Sequence, residues 1–297
     1  MTRLTFRERL NTAAPLLADG AMGTLLHGRG IPIDSPFDEL NLKQPELILD
    51  IHRAYIEAGA DVIETNTFGA NRFKLGEHGL AERTLDINRT GASLARLAAS
   101  ETDRPVYIAG SVGPLGVGIQ PYGRVKPEEA RAVFAEQMRG LVEGGVDVIV
   151  CETFTDLNEA LEAIAAAREV SPLIPIISQM TFTADDRTLL GHLPGRVARD
   201  LHEAGADVIG VNCSGGPAQI ARILQAMHEA APDATFSAMP NAGLPENVGG
   251  RMMYPATTAY FADYALMFKA IGACIIGGCC GTTPEHIAAM RAALDDP

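Results

Sequence analysis

The sequence predicts an α/β protein built as a (β/α)8 barrel of the TIM type. Three observations carry that expectation: eight near-continuous apolar runs, a helical pattern between successive runs, and a short glycine-bearing segment that recurs four times. Apolar runs without alternation are what a parallel sheet covered on both faces requires, because neither side of such a strand meets water. Eight strand–helix units in 297 residues, about 37 residues each, match the size of one barrel.

The runs follow in order along the chain. PLLADG (15–20) is the first, and PELILDIHRAYIEAG after it places Leu47, Ile48, Ile51, Tyr55 and Ala58 on one helical face. ADVIETNTF (60–68) and VYIAGSVG (106–113) are the second and third. PEEARAVFAEQMRGLVEGG then leads to VDVIVCETF (146–154), and LNEALEAIAAAREV to PIISQMTF (175–182). ADVIGVNCS (206–214) precedes PAQIARILQAMHEA, and TFSAMPNAG (235–243) and CIIGGCCG (274–281) complete the eight. The segments AGADVI (58–63), GGVDVI (144–149), AGADVI (204–209) and IGACII (271–276) each set a glycine where a helix gives way to a strand. Glycine enters the left-handed conformation that ends a helix without a side-chain clash. A doubly wound open sheet is the competing architecture, but no G-x-G-x-x-G fingerprint follows the first run.

Composition narrows the functional classes. Thirty-seven acidic against 24 basic residues leave a net charge of −13, which argues against nucleic-acid or anionic-membrane surfaces. The polar opening MTRLTFRERLNTAAPLLADG is unlike a secretory signal, and no apolar stretch approaches the roughly 18–20 residues of a membrane helix. Five cysteines are too few for a disulfide scaffold of this size, so a reduced, cytoplasmic setting is expected. Residues 1–297 read as one domain, with no linker-like shift in composition.

A barrel performs its chemistry at the C-terminal ends of its strands. Asp19, Glu64, Asn66, Glu152, Asn212, Cys213, Asn241, Cys279 and Cys280 all fall toward those ends. Cys213 lies 66 residues before Cys279, yet the sixth and eighth strands are separated by the seventh alone, so three thiols can converge on one rim. Three thiolates can bind Zn²⁺ and leave its fourth position open, whereas a structural site fills all four. The other readings of the Cys279–Cys280 pair are small buried hydrophobes or a vicinal disulfide. Cys151 and Cys274 sit inside apolar runs and read as packing residues. A thiol taking the open position of such an ion would be deprotonated near neutral pH, which points to thiol alkylation.

Six segments, DGAMGT (19–24), ETNTFGA (64–70), ETF (152–154), GVNCSGGP (210–217), PNAGLP (240–245) and GGCCGTTPEHI (277–287), resemble the homocysteine S-methyltransferase family. The likeness runs in order over essentially the whole chain and is strongest to the homocysteine-binding module of cobalamin-dependent methionine synthases. It implies zinc held by Cys213, Cys279 and Cys280, which are also the catalytic residues, and homocysteine as substrate. By the same resemblance Glu152, with Asp19 nearby, takes the substrate ammonium, and backbone amides around Gly20, Ala21, Gly23 and Thr24 take its carboxylate. Asp19 also suits a turn before glycine, and Glu152 a barrel ion pair. Asn241 is either a resting zinc ligand or a turn-former. His27, His52 and His286 read as solvent-facing or satisfied, His52 within a surface helix and His286 as a cap or loop contact at a helix start.

DLHEAG (200–205) matches the D-x-H-x-x-G pattern that presents histidine to cobalt, but it ends a helical run and Gly205 explains itself as the helix stop. Any corrinoid is therefore expected on another module. The family's methyl donors are methylcobalamin, S-methylmethionine and betaine. A chain without tryptophan disfavours betaine, whose quaternary ammonium is best held by aromatic faces. The resemblance favours methylcobalamin, with corrinoid-binding and folate-binding modules as partners and no nucleic acid or membrane. The non-enzymatic alternative is a structural-zinc or redox-sensing barrel.

Overall fold

A computed structural model of the protein describes residues 3–248 and 251–296. Eight parallel strands form the barrel: β1 (Leu16–Leu17), β2 (Val62–Glu64), β3 (Tyr107–Val112), β4 (Val148–Phe154), β5 (Ile176–Met180), β6 (Val208–Asn212), β7 (Phe236–Met239) and β10 (Ala273–Ile276). They neighbour one another in chain order, and the bridge between Ala18 and Val62 brings β1 back to β2. The extra pair, β8 (Glu246–Val248) and β9 (Arg251–Met253), is an antiparallel hairpin in the loop after β7, which the period of the apolar runs did not reveal.

The outer ring is built from α4 (Pro45–Glu57), α6 (Thr84–Ser100), α7 (Pro127–Glu143), α8 (Leu157–Val170), α9 (Pro194–Glu203), α10 (Pro217–Ala230), α11 (Thr258–Ile271) and α12 (Pro284–Asp295). Five of these eight begin with proline at the first turn, where its missing N–H costs nothing. Short helices α1 (Phe6–Leu10), α2 (Gly23–Gly28), α3 (Leu40–Lys43) and α5 (Arg72–Gly76) decorate the two ends. Among the described residues no helix is long and apolar enough to cross a membrane.

Strand residues divide by face. Leu17, Ile63, Ile108, Ile149, Ile176, Ile209 and Ile276 pack outward beneath the helices, while Leu16, Val62, Tyr107, Val148, Ile177, Val208 and Ile275 fill the barrel interior. Alternation thus exists, but both faces are apolar, which is why the runs read as continuous. The four recurring glycines, Gly59, Gly145, Gly205 and Gly272, all have positive φ, between 86° and 113°.

The aspartate of the repeat has a role of its own. Asp61, Asp147 and Asp207, at the N-terminal ends of β2, β4 and β6, accept the backbone N–H of Leu17, Ile108 and Ile176 at 2.9, 2.8 and 2.9 Å. Each also meets two arginines: Arg104 and Arg291, Arg3 and Arg96, Arg7 and Arg168. The fourth repeat carries Cys274 instead, partly buried against the interior cluster, as expected for a packing residue. Helix α1 plugs this floor. Phe6 is 3% exposed and meets the Tyr107 ring edge-on at 5.4 Å, while Arg3 and Arg7 reach Asp147 and Asp207.

Two histidines come out differently. His286 closes a capping box with Thr283 and contacts the Ala256 carbonyl at 3.1 Å, a structural role. His52, expected to face solvent or be satisfied, is fully buried with neither ring nitrogen hydrogen-bonded, and burial pushes its pKa down to about 4. It lies four residues after Ile48, on the buried stripe itself, so the helical spacing that placed Ile48 inside places His52 there as well.

Candidate active site in the barrel mouth

Three turns at the C-terminal ends of β6, β7 and β10 are stitched together by their backbones. Cys213 N–H donates to Met239 O at 3.2 Å, Cys279 N–H to Pro240 O at 2.8 Å, Ala242 N–H to Cys280 O at 2.8 Å, and Asn241 N–H to Gly215 O at 2.9 Å. Cys213 itself adopts φ of +48°. As a result the sulfurs of Cys213, Cys279 and Cys280 lie within 4.8 Å of one another, with Cys213 and Cys280 3.5 Å apart. Thiolates on a tetrahedral ion at about 2.3 Å stand roughly 3.8 Å apart, so the donor set fits such an ion. The Oδ1 of Asn241 is buried beside this turn without a hydrogen-bond partner. Hydrogen bonds from Cys213 and Cys279 lower the pKa of Cys280, while hydrogen bonding to their neighbours and burial raise those of Cys279 and Cys213.

Opposite the sulfurs stands a group of carboxylates. Asp19 is 2% and Glu152 8% exposed, with Glu64 half-buried between them. The Oδ2 of Asp19 accepts the Glu64 N–H at 2.9 Å, and its Oδ1 has no partner. Glu152 accepts from Ser111 Oγ at 2.5 Å, Thr153 Oγ1 at 3.2 Å and Asn212 Nδ2 at 3.1 Å. Among the described residues no lysine or arginine pairs with any of the three, so the expected alternative of a barrel ion pair for Glu152 does not arise. Burial raises all three pKa values, and their mutual charge raises those of Asp19 and Glu64 further. A cluster of this kind is short of one cation.

The DGAMGT turn packs beside them. A Cβ on Gly20 would stand 2.5 Å from Thr282 Oγ1 and 3.0 Å from Tyr55 Oη, so this position tolerates glycine alone. Gly23 and Thr24 open α2, where first-turn N–H groups lack intrahelical acceptors. The Ala21 N–H is already engaged by Thr282 Oγ1 at 3.1 Å, leaving fewer free donors in this turn than the sequence implied.

Several participants escape sequence reasoning. Ser111 and Thr153 are ordinary strand residues until the fold sets them on Glu152. Tyr254, after the hairpin, lies close enough to the three sulfurs that their charge, added to burial, raises its pKa. Phe68, beyond β2, is 38% exposed and carries the Lys74 ammonium 4.7 Å above its ring. His202 is exposed near the end of α9, on the side of the molecule that leads into β6, in keeping with a helix end and not with a metal loop.

A family model for homocysteine S-methyltransferase matches residues 16–294. The methionine synthase of Mycobacterium tuberculosis is 35% identical over 295 residues, 94% of this chain and 24% of its own length, and that of Mycobacterium leprae is 34% identical over 293 residues with the same coverage. The chain thus spans about a quarter of the length of these curated relatives. Among solved structures, the metallated form of the homocysteine methyltransferase MmuM from Escherichia coli matches with a TM-score of 0.80 at 27% identity, covering 96% of this chain and 98% of that one. Its oxidized form matches with a TM-score of 0.78. With a three-thiol cluster and a group of buried carboxylates in one barrel mouth, the chain belongs to the homocysteine S-methyltransferase family.

Proposed function

We propose that residues 1–297 form one homocysteine-binding module that takes up homocysteine as a thiolate and accepts a methyl group on its sulfur, giving methionine. The observation that carries this reading is a thiol cluster and a group of buried carboxylates in a single mouth, with no lysine or arginine among the described residues in an ion pair with those carboxylates. Cys213, Cys279 and Cys280 would hold zinc, with Asn241 Oδ1 available to the remaining position before substrate arrives. Bound there, zinc lowers the pKa of a substrate thiol so that it is a nucleophile at neutral pH. Glu152 and Asp19 hold the ammonium, which supplies the missing cation. The N–H groups of Gly20, Gly23 and Thr24 face the carboxylate, and Ala21 shapes their turn through its bond to Thr282. The sulfur forms a bond to the methyl carbon as the donor's bond to that carbon breaks, and the electron pair leaves with the donor.

Methylcobalamin on a separate corrinoid-binding module is the donor we favour, with a folate-binding module as a further partner. Support comes from the methionine synthases of which the chain matches one quarter. A stand-alone enzyme using S-methylmethionine, or betaine, is the second reading, favoured by the 98% coverage of MmuM. We place the protein in the cytoplasm, where its five free thiols would stay reduced.

Homocysteine supplied separately with methylcobalamin, S-methylmethionine and betaine, with methionine measured, tests the proposal. Product above a zinc-stripped control with one donor, and about one zinc per chain lost in Cys213→Ala, is the expected result. A zinc-free protein with a stable disulfide between Cys279 and Cys280 would instead establish the redox-sensing alternative.

A further inference from the structure

Asn212 ends β6 one residue before Cys213 and is 1% exposed. Its side chain crosses to the end of β4 and makes three bonds there. Its Oδ1 accepts the Thr153 N–H at 2.9 Å, and its Nδ2 donates to Thr153 Oγ1 at 2.8 Å and to Glu152 Oε2 at 3.1 Å. From the other side, its carbonyl accepts from Thr181 Oγ1 at 3.0 Å and Ser214 Oγ at 3.1 Å.

Both turns that Asn212 joins are strained. Thr153 has φ of +63°, costly for a β-branched residue, and Cys213 has φ of +48°. The pairing of β4 with β5 slips between Cys151 and Phe154, the kind of bulge that re-aims a side chain next to a site. Strain of this sort persists only where the surroundings over-determine it. Here the determining group is a single amide that grips Thr153 by both its N–H and its hydroxyl.

We propose that Asn212 is a positioning residue that fixes the separation between the Glu152 carboxylate and the Cys213 sulfur, and so selects homocysteine over cysteine. The inference rests on the substrate reading above. The two thiols offer the same ammonium, carboxylate and sulfur and differ by one methylene. A site whose two anchor points are rigidly spaced cannot satisfy both ends of the shorter molecule, and one methylene is worth about 10- to 200-fold in discrimination. A carboxylate free to move would follow the shorter chain inward and forfeit that factor.

Asn212→Asp keeps an acceptor for the Thr153 N–H but removes the amide that donates to Glu152. Thr153→Gly keeps the Thr153 N–H bond to Asn212 Oδ1 and the Asn212 bond to Glu152, relaxes the turn, and removes the hydroxyl that contacts both Asn212 and Glu152. The measurement is the calorimetric Kd of homocysteine and of cysteine on zinc-loaded wild type and both variants, with zinc content and Tm recorded. The preference for homocysteine is expected to fall at least about tenfold in Asn212→Asp and less, in the same direction, in Thr153→Gly, with zinc retained. Wild type that prefers homocysteine while both variants keep the same preference overturns the inference alone, as does loss of zinc with an unchanged preference. Wild type that binds neither thiol overturns the substrate reading, and this inference falls with it. Should Asn212→Asp fail to fold, Thr153→Gly decides between the same outcomes.

Discussion

The two ends of this barrel handle carboxylates withdrawn from solvent in opposite ways. On the floor, Asp61, Asp147 and Asp207 each bind a backbone N–H and two arginines, so their charge is compensated within the chain. At the mouth, Asp19 and Glu152 are buried and Glu64 is half-buried, and among the described residues no lysine or arginine forms an ion pair with them. Burying charge without a partner costs several kcal/mol, a cost the floor avoids and the mouth retains. The contrast shows where the fold is secured and where it holds a standing deficit that a ligand can fill, the division expected between the two faces of a barrel.

Substitutions at each end should separate stability from binding. The largest effect is expected for Asp207→Ala, which strands the Ile176 N–H and leaves Arg7 and Arg168 without their shared partner. Because Asp207 is partly exposed, the loss should be about 3 kcal/mol, at the low end for a broken buried pair. Chemical denaturation would show this, with the KM for homocysteine unchanged. An equal shift in KM would mean that floor and mouth are coupled.

Glu152→Gln should do the reverse, weakening homocysteine binding by about 1.5–3 kcal/mol, or roughly 10- to 100-fold in Kd, without lowering Tm. A fall in Tm of several degrees would show that Glu152 belongs with the structural carboxylates.

The pH dependence sharpens the contrast further. The folded pKa of Glu64 is raised by burial and by Glu152 and Asp19, so its contribution is complete below the unfolded value and is lost as pH rises through the folded one. Glu64→Gln should therefore be more stable than wild type on the alkaline side and lose its advantage in acid. His52, at neither end, has the opposite sign. Its folded pKa is lowered to about 4 by burial, so stability present above 6.5 is lost as pH falls toward 4, at most about 3 kcal/mol. His52→Leu should flatten that acid limb in urea titrations across the same window. An unchanged limb would mean that the ring finds water when protonated.

Much of this was legible in the residues. Eight apolar runs locate the strands, the recurring glycine locates the helix ends, and strand-end chemistry in a barrel gathers Asp19, Glu152, Asn241 and the three cysteines. Other features were visible but unread: the aspartate of AGADVI and GGVDVI shares its register with the glycine, and its role needs the arginines of distant helices to become clear. Asn212 stood in the same motif as Cys213, yet its partners lie on β4, about 60 residues away, and no local pattern encodes a bond across the mouth. The hairpin β8–β9 has no apolar run to announce it. His52 departs from the expectation for a surface-helix histidine because its place on the helical stripe, four residues after Ile48, outweighs its polarity.

Helix α1 carries a consequence for synthesis. Arg3 and Arg7 dock on Asp147 and Asp207, partners that follow them by 144 and 200 residues. A ribosome delivers the plug long before it delivers its sockets, so Phe6 must wait exposed until β4 and β6 have emerged and the barrel has begun to close. The segment translated early is thus among those seated late, and the floor is sealed only once most of the barrel has been made.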